Sequence, residues 1–271
     1  MKRSKWDQRM QRADQLAAAH PFAAEVLQFY KRIAGFQKDL YSWVDGAQQG
    51  SQSQKVSGSH REGLNPDLLL PKFPEFLVLA EAIAPPQISQ SASDLNAQGA
   101  GRWQDLLTSY WRTVPDFQPN PRHTEALLAW LFLQPYAEYL ADHSERLPLN
   151  ETLAVCPFCS RKPLVGVLRP EGDGGKRFLI CSMCSTEWPF GRILCPACGE
   201  ETVEKLAIYM ANQFDHVRVE ACDTCNYYIK TVDLTKNGLA VPVVDELATI
   251  PLNLWAQEHQ YVKLQANLLG I

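Results

Sequence analysis

Long hydrophobic runs are missing from this sequence of 271 residues. Its richest apolar stretch, residues 126–140, is interrupted by Gln134, Pro135 and Glu138. It therefore falls short of the roughly 18 continuous apolar residues that a membrane-spanning helix needs. The basic start of the chain is not followed by the apolar run of a secretory signal. These absences predict a protein that does not insert into a membrane and that is located in the cytoplasm.

An excess of positive charge is also missing. The formal net charge is −4, and residues 154–235 contain nine Lys or Arg against ten Asp or Glu. A nucleic-acid-binding ribbon normally carries a basic surface, so no nucleic-acid partner is expected. The sequence also lacks a Ser-His-Asp arrangement, a phosphate-binding glycine loop and a dinucleotide fingerprint. We therefore expect a protein that is not an enzyme and has no catalytic residues.

Cysteine is absent from the first 155 residues, and all eight cysteines then occur as Cys-x-x-Cys pairs. The pairs are Cys156/Cys159, Cys181/Cys184, Cys195/Cys198 and Cys222/Cys225. In a chain without an export signal this clustering favours metal ligation over structural disulfides. Two residues between cysteines allow one tight turn to direct both sulfurs at the same ion. The eight cysteines are therefore the candidate metal ligands.

The cysteine spacing repeats, as Cys-x2-Cys-x21-Cys-x2-Cys and then Cys-x2-Cys-x23-Cys-x2-Cys. Each unit opens with Cys-Pro, and Arg177 and Arg218 each lie four residues before the third cysteine of their unit. A tandem duplication explains the repeat, and it predicts two sites formed by consecutive pairs. An interleaved grouping, first pair with fourth and second with third, is the alternative. A redox dithiol at Cys156-Pro-Phe-Cys159 is another.

Four thiolate ligands do not determine the identity of the metal, because both zinc and iron accept such a site. His216 lies near the second unit, but with eight thiolates present we interpret it as a surface strand residue and not as a ligand.

Helical periodicity dominates the first 145 residues, whereas turns and short β-type runs follow residue 148. Helices are predicted over 4–19, 21–44, 74–83, 102–113, 121–143 and 251–269, with a Gly, Gln and Ser-rich loop over 45–63. Trp103, Tyr110, Trp111 and Trp130 are expected in the helical core. The predicted fold is α+β and multidomain. An all-α domain (1–148) precedes a first small metal-centred β module (149–192), and a second such module with a C-terminal helix (193–271) follows.

Five longer motifs surround the cysteines and the start of the tail. They are Cys156-Pro-x-Cys, Cys181-Ser-Met-Cys-x-Thr-Glu-Trp188, Cys195-Pro-x-Cys-Gly199, Val219-Glu-Ala-Cys-Asp-Thr-Cys-x-x-Tyr-Ile-Lys-Thr-Val-Asp233 and Asp245-Glu-Leu-Ala-Thr-Ile-Pro-Leu-Asn-Leu-Trp-Ala256. These motifs resemble those of the FdhE family of formate dehydrogenase accessory proteins. The resemblance covers residues 150–271, and the helical half fits the layout of the family without a diagnostic motif.

The resemblance implies a cytoplasmic maturation factor that respiratory formate dehydrogenases need for activity. Its partner would be the formate dehydrogenase catalytic subunit, bound before twin-arginine export. The resemblance also implies two rubredoxin-like modules and favours iron, with zinc as the alternative, although Ser160 replaces the glycine expected in the first knuckle. A rubredoxin-like electron carrier or thiol reductase acting on the partner's metal centre is the second functional hypothesis. A homodimer stays open.

Overall fold

A computed structural model describes residues 4–49, 63–113, 124–144, 151–172 and 174–268. The chain forms two compact units. One contains Met1–Gln28 and Leu147–Ile271, and the other contains Phe29–Arg146. Within the described residues, no helix combines the length and apolar character that crossing a membrane requires.

The first part of the chain is helical. Its helices are α1 (Lys5–Ala19), α2 (Ala24–Gln49), α3 (Pro66–Leu69), α4 (Phe73–Ile83), α5 (Pro86–Gln98), α6 (Ala100–Arg112) and α7 (Thr124–Asp142). In the unit Phe29–Arg146 the core is aromatic, with the rings of Phe73 and Phe132 4.7 Å apart and Phe76 beside both. Gln37 is buried there and donates to the Leu131 carbonyl at 2.7 Å. The amide therefore has a partner where an unpaired one would be costly.

The predicted helices α1, α4, α6 and α7 are confirmed to within a few residues. Helix α2 follows a short 3-10 turn and extends to Gln49, so residues 45–49 are not loop as predicted. Alanine and glutamine there are good helix formers. Residues 50–62 of the predicted loop lie outside the described residues.

The helices predicted from the sequence do not include α5, because Pro85-Pro86 indicates a break between helices. Pro86 instead takes the first helical position, where its missing N–H removes no hydrogen bond. The core prediction is confirmed for Tyr110, Trp111 and Trp130, which are buried. Trp103 is half-buried, and its indole donates to the Leu95 carbonyl at 2.7 Å.

The second part of the chain builds one sheet. Its strands are β1 (Pro163–Glu171), β2 (Gly174–Cys181), β3 (Glu187–Pro189), β4 (Leu206–Met210), β5 (Val217–Cys222), β6 (Tyr227–Asp233) and β7 (Val262–Lys263). The order across the sheet is β3-β2-β1-β6-β5-β4, with β7 also pairing with β6. Each cysteine module thus contributes an antiparallel three-stranded meander, and the parallel pair β1 and β6 joins the two.

Gly166 makes this junction possible. It lies opposite Thr231 in the parallel pair, and a Cβ atom at Gly166 would overlap the Thr231 hydroxyl. The absent side chain allows the two strands to approach. The predicted fold class is confirmed, since N-terminal helices precede a sheet carrying both cysteine modules and C-terminal helices follow.

One face of the sheet forms the core of its unit with two C-terminal helices, α8 (Pro242–Ala248) and α9 (Ile250–Glu258). Val167, Val219 and Val232 on the strands pack in the same cluster as Leu252 and Ala256 on α9. Burial of these aliphatic side chains is the main stabilising contribution.

The predicted tail helix over 251–269 is wrong in its extent, because α9 ends at Glu258. Gln260 has a φ of 65° there, and the Tyr261 N–H bonds to the Ala256 carbonyl while the Gln260 N–H bonds to that of Gln257. This is the Schellman arrangement that ends helices. The chain then adds β7, and Leu264 and Leu268 are buried outside any helix.

Helix α1 packs in the same compact unit as the cysteine modules, since the Arg12 guanidinium donates to the Asp245 carboxylate on α8 at 2.9 Å. The module limits at residues 148 and 192 remain a prediction.

Candidate metal centres

Each cysteine pair lies in a tight turn. Cys156/Cys159 precede β1, and Cys181, the last residue of β2, begins the turn that contains Cys184 and leads to β3. In the second module, Cys195/Cys198 precede β4, and Cys222, the last residue of β5, begins the turn that contains Cys225 and leads to β6. The same position in each meander therefore brings two turns together, as expected for a duplicated unit.

The eight free thiols form two groups of four. The groups are Cys156, Cys159, Cys181, Cys184 and Cys195, Cys198, Cys222, Cys225, and the sulfur atoms of each lie within 4.8 Å of one another. This is the sequential grouping and not the interleaved one. Four converging thiols also favour metal ligation over separate redox dithiols.

The sulfur distances suit a tetrahedral ion. Metal–sulfur bonds of about 2.3 Å place the corners of a regular tetrahedron about 3.8 Å apart. In the second group, the distance is 3.8 Å from Cys195 to Cys225 and 3.7 Å from Cys198 to Cys222. In the first group, three of the distances are 3.3–3.5 Å, so a small expansion would complete the same geometry.

Backbone conformation explains how each turn closes. The residue after the second cysteine of every pair is in the left-handed region, with φ of 59° at Ser160, 54° at Ser185, 77° at Gly199 and 59° at Asn226. In three of these turns the amide of that residue bonds to the carbonyl of the first cysteine, at 2.9 Å for Ser160, 3.0 Å for Gly199 and 2.8 Å for Asn226. Ser160 therefore adopts the conformation of the glycine it replaces.

Each module also contains a hydrogen bond from a backbone amide to a cysteine sulfur. The Met183 amide donates to Cys181 Sγ at 3.3 Å, and the Ala197 amide donates to Cys195 Sγ at 3.4 Å. In the first group the Thr186 hydroxyl also lies 3.1 Å from Cys184 Sγ. Donors of this kind stabilise a thiolate that holds a metal ion.

The two groups differ in exposure. All four cysteines of the first group are buried, whereas in the second group Cys198 is exposed and Cys225 is half-exposed. Burial raises the pKa of both the Cys181 and the Cys184 thiol, so in the first group the thiolate form needs a compensating cation. A divalent or trivalent metal ion would supply that charge.

The two duplicated arginines meet at one carboxylate, which was not predicted. Arg177 from β2 and Arg218 from β5 both approach Glu220, each with an N–O distance of 2.6 Å. Burial alone would raise the pKa of Glu220, but the two guanidinium groups hold it below its ordinary value. Arg177 also donates to the carbonyls of Gly191 and Leu194, just before Cys195. Repeat position identified the arginines, whereas their convergence depends on the parallel pairing of β1 and β6.

His216 lies in neither cysteine group. It precedes β5 in a turn and is half-buried, so its interpretation as a surface strand residue is wrong, because its Nε2 atom lies 2.9 Å from the Asp245 carboxylate. The hydrogen bond to Asp245 raises the pKa of His216. The hydrogen bond of His216 to Asp245 thus holds the turn before β5 against α8.

Fold and geometry define the class of this protein: a helical region is followed by a sheet with two zinc-ribbon-like groups of four cysteines. The particular family follows from two family models. Residues 155–192 match the central domain of FdhE, and residues 193–269 match its C-terminal domain. Residues 155–269 therefore match two domains of the FdhE family.

Individual proteins match part of the chain. A protein FdhE homolog of Aquifex aeolicus is 36% identical over 140 residues, which are 51% of this chain and 50% of the relative. One of Rhizobium meliloti is 29% identical over 195 residues, which are 69% of this chain and 61% of the relative. The matched region thus spans about half the length of the first of these curated relatives.

The fold has a solved counterpart. The crystal structure of the FdhE protein from Pseudomonas aeruginosa superimposes with a TM-score of 0.68 at 23% identity, and the match covers 99% of this chain and 96% of that one. At this identity the comparison supports the fold, including the helical half that the family models do not match.

Proposed function

We propose that the eight cysteines hold two metal ions, one in each group of four. The observation that carries the proposal is the sulfur spacing, because two pairs of turns converge at the distances that a tetrahedral ion requires. Iron is favoured by the family resemblance and zinc is the alternative. Bound metal would hold the turns together and supply stability to modules of about 40 residues, which bury too little apolar surface on their own.

Elemental analysis of protein purified without oxygen tests the metal proposal. Two ions per chain are expected, and a ferric tetrathiolate would add visible absorption bands. Replacement of Cys195 and Cys198 by serine should remove one ion. Ala197→Ser is the matched control, since Ala197 is an exposed, non-ligand residue of the same turn. Metal-free wild-type protein with unchanged stability would contradict the proposal.

We further propose that the protein acts in the cytoplasm as a non-catalytic accessory factor for formate dehydrogenase. It would bind the catalytic subunit during maturation, before twin-arginine export, with the metal modules shaping the binding surface. The FdhE domains at residues 155–269 support this proposal because they contain both groups of cysteines.

Co-purification with a tagged catalytic subunit tests the accessory role. Wild-type protein and Ala197→Ser should be recovered with the subunit, and the Cys195/Cys198 double serine variant should not. Circular dichroism must show that the variant retains its helices. Equal recovery of a folded, metal-free variant would contradict a role for the modules in binding.

Exposure of the second group supports an alternative, an electron carrier or thiol reductase that acts on the partner's metal centre. Cys198 lies at the surface, where an ion would be within reach of a bound protein. Visible absorption that bleaches reversibly with dithionite would support this activity. Bound zinc without a redox response would exclude it.

A further inference from the structure

Strand β4 is an edge of the sheet. It pairs with β5 on one side, and among the described residues no strand pairs with its other side. An edge strand with free N–H and C=O groups accepts a further strand unless charge or cover prevents it. Ile208 and Met210 on β4 are 54% and 62% exposed, so the edge is apolar as well as open.

One face of this edge offers apolar contacts. Ile208 and Met210 lie opposite Glu220 and Arg218 of β5, on the same face of the pair. A hollow that is open to solvent adjoins Ile208 and is lined in part by Leu194, Pro196 and Leu206. Its buried charges are compensated, since Arg177 and Glu220 form an ion pair at 2.6 Å. The hollow can therefore receive an apolar side chain.

The other face of the edge offers aromatic rings. Tyr209 alternates with Ile208 and Met210, and its ring lies 4.4 Å from Trp255 and 6.2 Å from Tyr261. Tyr209 and Trp255 are only partly buried. Faces of such rings attract cationic side chains.

The charged side chains around the edge also favour a basic partner segment. The exposed or half-exposed acids there are Glu200, Glu201, Glu204, Asp215 and Asp223. The exposed bases are Arg192, Lys205 and Lys236, and the half-exposed Arg218 and Glu220 offset each other as an ion pair. Four thiolates and a divalent ion at the second cysteine group would add two further negative charges. A basic segment is therefore attracted, and an acidic one is repelled.

We propose that β4 is a docking edge for an extended partner segment of about five residues in which apolar and basic residues alternate. The segment pairs with β4 through its main chain. Its apolar side chains lie on Ile208, Met210 and the hollow, and its basic side chains lie on Tyr209 and Trp255. The inference rests on the proposed function, in which the segment belongs to the maturation partner.

A synthetic peptide tests the chemistry of the edge directly. The probe is an acetylated and amidated heptapeptide of alternating valine and arginine, mixed with the metal-loaded full chain. Amide hydrogen exchange over Leu206–Met210 should slow by about tenfold at saturating peptide. A valine and glutamate peptide, and a valine and arginine peptide with alternate N-methyl groups, should have no effect. Unchanged exchange with millimolar valine and arginine peptide, or equal protection by the N-methylated peptide, would overturn the proposal.

Variants of the chain test whether the partner binds at the β4 edge. Ile208→Lys should weaken binding of the peptide and recovery of the catalytic subunit by about tenfold or more. Val78→Lys is the control, because Val78 is 56% exposed on α4, outside the sheet. If Ile208→Lys recovers the subunit as well as wild type does, the docking edge is wrong and the accessory role stands. If wild type recovers none, the accessory role fails, and the peptide result alone decides the inference.

A second copy of the chain is the competing occupant of the edge. Light scattering, which measures the molar mass in solution, distinguishes the two occupants. The proposal predicts that Ile208→Lys leaves this molar mass unchanged. A wild-type dimer that this substitution converts to a monomer would overturn the proposal.

Discussion

At the scale of single residues, the four left-handed positions that close the cysteine turns have a conformational cost. Only Gly199 is a glycine, whereas Ser160, Ser185 and Asn226 carry a Cβ atom that disfavours this backbone region. The first module therefore reaches the same turn geometry as the second with a less suitable residue. Bound metal would offset the difference.

Ser160→Gly should stabilise the metal-loaded protein by about 0.5–1 kcal/mol. Relief of the left-handed backbone gains about 1–2 kcal/mol, and the greater freedom of glycine in the unfolded chain offsets part of that gain. Ser160 is exposed, so little packing is lost. Denaturant unfolding at fixed metal concentration measures the change.

Gly199→Ala is the matched opposite and should destabilise by about 1 kcal/mol. No atom lies within 4 Å of the added Cβ, so the cost is purely conformational. Equal stability of the two variants would contradict the interpretation of both turns.

The sequence was sufficient to propose all eight cysteines and their grouping, because ligand spacing is a local property that the duplication repeats. It was not sufficient to predict the roles of Gly166 and Glu220. These residues act through the parallel pairing of β1 with β6, and no local pattern specifies which strands of two duplicated meanders become neighbours.

At the scale of elements, a buried charge cluster fastens β6, α8 and β7 together. Lys230 and Lys263 both pair with Glu246, and all three side chains are almost inaccessible to solvent. Lys230 also donates to the Glu246 carbonyl at 2.5 Å and to the Thr249 hydroxyl at 3.0 Å. Burial lowers the pKa of Lys230 to about 7, although Glu246 opposes the shift.

Glu246→Gln should destabilise the protein by about 3–5 kcal/mol, because it leaves two buried lysines without a counter-charge. Lys230→Met should cost clearly less, since one glutamate and one lysine then remain as a pair. Thermal unfolding of the metal-loaded variants measures both. A larger loss for Lys230→Met would show that the hydrogen bonds of Lys230, and not the charge balance, dominate.

The contact between the His216 turn and α8 should depend on pH. Its hydrogen bond to Asp245 raises the pKa of His216, although burial and Arg12 oppose the shift. The folded state therefore keeps the proton to higher pH than the unfolded state does. The stabilisation is fully present below the unfolded pKa of about 6.5 and is lost as pH rises through the folded pKa.

Comparison with His216→Gln isolates this effect. The difference in unfolding free energy between wild type and variant should shrink as pH rises above about 6.5, while metal-linked pH effects cancel because both proteins share the same cysteines. A difference that stays constant from about pH 5 to pH 8 would contradict a protonated His216 in the ion pair.

Helices with strong periodicity were predictable, and the failures have local causes. Pro85-Pro86 concealed α5, since a proline at a helix start resembles a break in the sequence. The apolar pattern of the tail continues past Glu258. Leu264 and Leu268 are buried because the chain changes direction at Gln260, and not because the helix continues.

At the scale of the whole molecule, the two cysteine groups should differ in accessibility to chelators and alkylating reagents. Cys198 and Cys225 of the second group reach solvent, whereas the whole first group is buried. During slow chelation with excess iodoacetamide, mass mapping should find Cys195, Cys198, Cys222 and Cys225 alkylated first. Alkylation of the first group at the same rate would contradict the difference in exposure.

The parallel junction between β1 and β6 gives the molecule a shared folding equilibrium. One sheet contains both meanders, so order in the strands of one cysteine group favours order in the strands of the other. With ions bound as proposed, occupancy of either site raises the affinity of the other by the same factor. At limiting metal, chains with one ion should therefore be fewer than two independent sites would give.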